Sequence, residues 1–270
     1  MKKLNYKKKF LSVFCRNEDG FTLVELLIAM VVAAIVGGAM VANYVSQQRS
    51  ATMVRQVAQM QQQLRGALFI MESDIRVAGF NPQNITEVFG VTDIRRRLIE
   101  DGTPSTEGIP ALMVAYDWSP GNPSPATTGN GVLDPGESPI YYLLDNGRGL
   151  TDLMRDLGGD PQLVAENIEA MAFIFAYRDD NGDMVWAMDT NNDNRLDTRI
   201  DDDGNTTPLT AAVALDNIVA IRVQLLARAP NPSRNFFSQQ FFLGDLPPIG
   251  NDAFRRRLLE RVIEIRNADL

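Results

Sequence analysis

The chain has 270 residues, a formal net charge of −8, no histidine and one cysteine, Cys15. Ser-His-Asp or Cys-His catalysis, histidine-based zinc sites and thiol redox chemistry all need residues that this composition lacks. An acidic body without a basic stripe also lacks the electrostatic footprint of nucleic-acid binding, so no nucleic acid is expected as a partner.

The first 20 residues hold Lys2, Lys3, Lys7, Lys8, Lys9 and Arg16 against Glu18 and Asp19, a local +4 that leaves −12 on the rest. Behind them, Leu26 to Ala42 run LLIAMVVAAIVGGAMVA without a polar side chain, and Phe21 to Val24 extend the run, broken only by Thr22 and Glu25. That is long enough to span a bilayer. The positive-inside tendency leaves residues 1–20 in the cytoplasm and sends the C-terminal body across the membrane. A secretory signal would be cut after its apolar run at a small-residue site, whereas AMVANYVSQQ continues in helical register.

The segment EDGFTLVELLIAM resembles the class III signal of type IV prepilins and pseudopilins, with Gly20, Phe21, Thr22, Leu23, Glu25 and the apolar run in the family's order. The resemblance implies that a prepilin peptidase cuts between Gly20 and Phe21 and that Phe21 becomes N-methylated. It also implies that Glu25 serves assembly by pairing with the new amine of its own or a neighbouring subunit. An ionised carboxylate at a helix centre in hydrocarbon costs about 2.5–3.5 kcal/mol and so calls for a partner. The alternative is that Glu25 lies near the interface and reaches water.

An amphipathic stretch follows. Val54, Val57, Leu64, Leu68, Met71, Ile75 and Ala78 recur at spacings of three, four or seven, while Gln59, Gln62, Gln63, Arg65 and Glu72 fall elsewhere. Gly79, Asn81 and Pro82 make a stop, so one helix from about Thr22 to Ala78, about 85 Å long, is expected. Gly37 and Gly38 either loosen it or allow close helix packing.

After Pro82 short apolar runs alternate with turn formers, the pattern of an antiparallel β domain. Expected strands are Ala111 to Asp117, Ile140 to Leu144, Ala170 to Arg178, Met184 to Met188, Ile218 to Ala227 and Leu258 to Arg266. In IVAIRVQLLAR, Val219, Ile221, Val223 and Leu225 share one face, which predicts a half-buried strand. Residues 119–139 read as a long surface loop. Asn181 and Gly182 predict a two-residue hairpin turn. Arg95 to Arg97 and Arg255 to Arg257 read as solvated basic faces, or as docking points for acidic neighbours.

The helix end DIRVAGF, the strand IYYLL, the segment NIEAMAFIFAYRD and the ending RRRLLERVIEIRN are similar to PilW-like minor pilins and to the related J-type minor pseudopilin of type II secretion. The expected fold is therefore α+β and pilin-like, a long N-terminal helix packed on an antiparallel sheet. Its parts are a cleaved leader (1–20), a transmembrane or filament-core helix (21–44), an amphipathic continuation (45–79) and a periplasmic head (80–270). The resemblance implies partners among other minor and major pilins through the helix, the prepilin peptidase and an inner-membrane assembly platform. It implies residence in the inner membrane and then in the pilus at the cell surface. The expected role is structural, that of a minor pilin at or near the pilus tip or priming complex, without enzymatic activity; the alternatives are a J-type minor pseudopilin of a type II secretion system and a calcium-dependent adhesin displayed on a pilus.

Residues 189–204, DTNNDNRLDTRIDDDG, place Asp189, Asn191, Asp193 and Asp197 at positions one, three, five and nine of a Ca²⁺-loop pattern. The Arg195 carbonyl falls at position seven and Asp201 is a late closing carboxylate; Asn194 and Ile200 depart from the EF-hand pattern. Without a head cysteine, Ca²⁺ is the expected staple of this loop, the alternative being a solvated acidic loop on an acidic protein.

Overall fold

The computed structural model describes residues 21–81, 89–94, 110–117, 133–134, 136–147, 149–201, 203–233 and 236–268. The leader, Pro82, Arg95 to Arg97 and most of the expected loop at 119–139 lie outside the described residues. Two compact units are distinguished, residues 1–54 and 55–270.

Helix α1 runs Leu23–Val77, with both ends within one residue of the expectation. It passes through Gly37 and Gly38 without a break, and a Cβ on either glycine would meet nothing within 4 Å. In the first unit the apolar residues from Phe21 to Val45 are exposed, and none of the helix's most apolar 18-residue window is buried.

In the second unit the same helix supplies one wall of a core. Met60, Leu64, Ala67, Leu68, Met71, Ile75 and Ala78 are buried, and each of the large ones contributes about 1.5–3 kcal/mol on leaving water. Val54, expected on this stripe, is 68% exposed. It precedes the sheets' cover, and Val57 is the first residue to touch the core. Gly79 ends the helix in the left-handed region at φ 79°. The Asn267 side-chain amide donates to the carbonyls of Val77 and Ala78, both at 3.4 Å, so the chain's last strand region caps its first helix.

Two antiparallel sheets complete the head. The first is a meander of β1 (Gly90–Asp93), β2 (Leu112–Ala115), β3 (Ile140–Asp145), β4 (Thr151–Asp156) and β5 (Gln162–Ala165), ordered β1-β2-β3-β4-β5. The second comprises β6 (Ile168–Arg178), β7 (Met184–Met188), β8 (Leu196–Ile200), β9 (Thr206–Val213), β10 (Ile218–Arg228) and β11 (Arg256–Glu264), ordered β11-β10-β6-β7-β8-β9. Leu112, Tyr141, Leu143 and Leu153 of the first sheet and Met171, Phe173, Ile221, Val223 and Ile263 of the second share one core with the helix residues.

Among the described residues all six expected strands form, together with five that were not expected: β1, β4, β5, β8 and β9. The strand β10 is buried on both faces rather than one. It lies between β11 and β6, and a second cluster of Ala170, Ala172, Leu226 and Leu243 covers part of its outer side. The hairpin between β6 and β7 forms with a three-residue loop instead of two. Asp179 N–H donates to Asp183 O at 3.0 Å, and Gly182 alone takes positive φ, 84°, the arrangement of a turn closed by a glycine bulge. Residues 201–205 repeat it, with Asp201 N–H on Asn205 O and Gly204 at φ 83°.

Candidate functional site

Phe21 is the first described residue, and Gly20 lies outside the described residues. The Thr22 Oγ1 accepts the Glu25 N–H at 3.3 Å and the Thr22 carbonyl accepts the Leu26 N–H at 3.1 Å, so Thr22 caps the helix and Glu25 stands at its third position. This is half of a capping box. A carboxylate in a first turn also faces the positive end of the helix dipole, which gives Glu25 a local role beside any role in assembly.

The acidic loop is built from its own side chains. Asp189 accepts the N–H groups of Asn192 and Asn194 at 2.7 and 2.9 Å. Asp193 accepts the Arg195 N–H and the Asn191 side-chain amide at 3.0 and 3.2 Å, and Asn191 Oδ1 accepts the Asp193 N–H. Asn192 and Asn194 adopt positive φ, 61° and 69°, a region that asparagine tolerates. The Asn194 amide reaches Thr92 O, and its Oδ1 accepts the Ile94 N–H, tying the loop to β1. The Arg195 guanidinium donates to Ala212 O at 3.2 Å.

Burial pushes the Asp189 carboxyl up, with Asp193 and Asp197 adding to the shift against the two N–H donors. At Asp197 burial is outweighed by the hydroxyls of Thr198 and Thr190 and the N–H groups of Thr190 and Asn191, which hold its carboxyl below the ordinary value. Asp201 does not join the set. It lies at the far end of β8, about 13 Å along the strand from Asp197 at 3.3 Å per residue. Both its oxygens serve the 201–205 turn, accepting from Asp203, Asn205 N–H and the Asn205 amide. Among the described residues no three Asp, Glu, His or Cys side chains converge to hold a metal ion.

The chain matches two known families. Residues 15–41 match the prokaryotic N-terminal methylation motif, the segment whose capped start and unburied apolar helix are described above. Residues 140–267 match the Type IV pilus-assembly protein W family, running from β3 through β11. The chain is a PilW-like pilin. A solved structure, the type IV-like pilin TTHA1219 from Thermus thermophilus, is similar over 78% of this chain and 98% of its own at 14% identity, with a TM-score of 0.41, too distant to add to the argument. No curated protein matches the chain. Both matched families describe structural pilin-type proteins, and the pilin is a subunit of pilus assembly anchored through its apolar helix.

Two buried ionic clusters in this pilin were not anticipated. Asp74, on the core side of α1, accepts from Arg155 Nε and Nη2 at 2.8 and 2.9 Å, from the Tyr116 hydroxyl at 3.4 Å and from the Tyr141 hydroxyl. An aspartate three residues after Met71 and four before Ala78, within the apolar stripe, was the available signal. The second cluster corrects the reading of the basic run 255–257 as solvated at Arg256 alone, since Arg257 is exposed and Arg255 half-buried. Arg256 is buried and donates to Glu169 (2.5 and 2.9 Å) and Asp252 (2.5 and 2.7 Å), and Arg228 joins at Glu169 at 3.2 Å. Charge pairs of this kind fix one arrangement of elements, because an unpaired buried charge is costly.

Proposed function

We propose that the pilin is a minor subunit that enters a type IV pilus at or near its tip or priming complex. In this reading prepilin peptidase cuts after Gly20, Phe21 is N-methylated, and Glu25 pairs with the exposed amine of its own or a neighbouring chain. The observation that carries it is the helix that starts at Leu23 with a capped first turn and leaves the apolar residues from Leu23 to Val45 exposed. Such a surface needs lipid or equivalent helices around it. The basic residues before Gly20 orient the head to the periplasm, from which the filament carries it to the cell surface.

Mass spectrometry of the mature N-terminus tests processing, with N-methylated Phe21 expected. An intact Met1 to Asp19 segment on assembled protein would sink the reading. Glu25→Ala is expected to remove the chain from the filament fraction while leaving it in the inner membrane. If deletion of the chain stops type II secretion and spares pili, the subunit is a J-type pseudopilin instead.

Calcium in the acidic loop is a second proposal. The charges of Asp193 and Asp197 act on the half-buried Asp189 carboxyl in one short loop, and a divalent cation would relieve that repulsion. Asn191 Oδ1 and the Arg195 carbonyl are the neutral oxygens available. Binding would draw these groups in from positions where they now hold backbone N–H groups.

A further inference from the structure

Each sheet ends in two edge strands, and among the described residues three of the four are blunted. β1 and β5 are each four residues long, and a register shift interrupts the pairing of both. β9 carries Pro208, which has no N–H to offer, and its pairing with β8 also shifts. Short, bulged or proline-bearing edges resist the addition of a further strand. β11 has none of these protections. It pairs residue for residue with β10 from Arg256 to Glu264 without a shift.

The free side of β11 is defined by its neighbours. Arg255 O accepts the Ala229 N–H and Ile265 N–H donates to Val219 O, so odd-numbered positions turn their backbone groups toward β10 and even-numbered ones turn theirs outward. Just past the strand, Arg266 N–H donates to Arg76 O at 3.3 Å on that outward side. Within the strand, the outward N–H groups of Leu258, Glu260, Val262 and Glu264 have no partner among the described residues. The helix lies on the core face, where Arg261 meets Glu72 at 2.9 Å. On the other face a wall of residues 236–242, pinned where Phe241 and Ile249 exchange two hydrogen bonds, covers the strand as far as Leu258. Beyond it Glu260, Val262 and Glu264 are exposed, Val262 by 47%.

A strand laid along this edge sets its side chains beside Leu258 and Val262, which favour apolar neighbours, and beside the acids, which favour Lys or Arg. Glu260 already accepts from the Gln224 amide at 2.6 Å, whereas Glu264 stands at the open end. A second copy of the chain does not supply such a strand. β1, β5 and β9 contain no Lys or Arg. β11 laid antiparallel on β11 and centred on residue 259, 260 or 261 sets Arg257 against Arg261, Glu260 against Glu260 or Arg261 against Arg261, like charges in every case.

We propose that β11 accepts an added strand from a neighbouring pilin of different sequence, with apolar side chains beside Leu258 and Val262 and a Lys or Arg beside Glu264. Backbone hydrogen bonds give such a contact its strength, and the alternating side chains give it selectivity. This rests on the subunit reading above, in which other pilins are brought to the head, and it names the surface that meets one of them.

The test uses the full-length chain in pilus-assembling cells, with Val262 replaced by the photo-crosslinker p-benzoylphenylalanine. Illumination is expected to give an adduct with another protein that carries an N-terminal methylation motif, at a peptide that holds apolar residues and a Lys or Arg. Glu264→Pro in the same chain is expected to lose most of that adduct. It deletes an outward N–H and a charge but no bond to β10, so the melting midpoint of the purified chain is expected to stay in place. Ile263→Pro, which takes an N–H out of the β10 ladder, is expected to lower the midpoint. Adducts only between copies of this chain, adducts only with proteins that lack the motif, no adduct, or an adduct that survives Glu264→Pro overturns the proposal. If the chain is then still found in the pilus fraction, the added strand fails and the subunit reading stands. Absence of the unsubstituted chain from that fraction removes the subunit reading and this proposal with it.

Discussion

Asp74 and Arg155 lie 81 residues apart in sequence and meet through two parallel hydrogen bonds, at 2.8 and 2.9 Å, between the core face of α1 and the strand β4. With side chains 9% and 18% exposed, the pair is the polar centre of the seam that joins the helix to the five-stranded sheet. Removing one partner leaves a buried charge unmatched, so Asp74→Ala is expected to cost about 3–5 kcal/mol. Asp74→Leu combined with Arg155→Met is expected to cost less than Asp74→Ala, because no charge is stranded. Denaturant midpoints of the purified chain in detergent check this, and equal losses for the two variants would contradict it.

The same cluster predicts a weakness at high pH. Burial, and then the Asp74 charge, push the Tyr116 hydroxyl up to about 12 and the Tyr141 hydroxyl further still. A group whose folded value is raised contributes its stability below the unfolded value, near 10, and loses it as pH rises beyond. The unfolding midpoint is therefore expected to fall between about pH 10 and 12. Tyr141→Phe, though less stable at neutral pH, is expected to show a shallower fall. An identical slope in the variant would exclude these tyrosines as its source.

Acid acts on the second cluster. The hydrogen bonds from Arg256 hold the Asp252 carboxyl down at about 2. A depressed carboxyl contributes stability above its unfolded value, near 3.9, and loses it as pH falls toward the folded one. Unfolding midpoints measured from pH 5 down to pH 2 are expected to drop, and Asp252→Asn is expected to flatten that part of the profile. A variant that retains the full acid dependence would count against the assignment.

Gly250 adopts φ 138° directly beneath Gln239. Gly250→Ala is expected to destabilise the head by about 1–3 kcal/mol, through backbone strain and displacement of the 236–242 wall. Thermal melting checks the loss, and an unchanged midpoint would show that the wall yields freely.

For the acidic loop, millimolar Ca²⁺ is expected to raise the melting midpoint relative to chelator, and Asp193→Ala is expected to abolish the difference. The Asp201→Ala variant is expected to keep it, because Asp201 belongs to a separate turn. A midpoint that ignores calcium in the unsubstituted chain removes the proposal.

The anchor was legible because its signals are local. An uninterrupted apolar run after a basic segment, Thr22 placed three residues before Glu25, and Gly79 past the last periodic residue set a 55-residue helix whatever the rest of the chain does. The strands β6, β7 and β10 were legible for the same reason, since their apolar content marks them without reference to a neighbour. What remained hidden depends on partners far away in sequence. The strands β4, β8 and β9 carry Asp, Arg, Thr and Pro, and they extend only because β3, β7 and β8 in turn offer them a ladder. Asp201 reads as a continuation of the acidic loop until register sends it to the other end of β8. Arg256 reads as one of three surface arginines until the fold brings Glu169 across 87 residues to meet it. Periodicity and capping are properties of neighbouring residues, whereas a buried charge is tolerable only once the opposite charge has arrived, and that arrival is decided by tertiary structure alone.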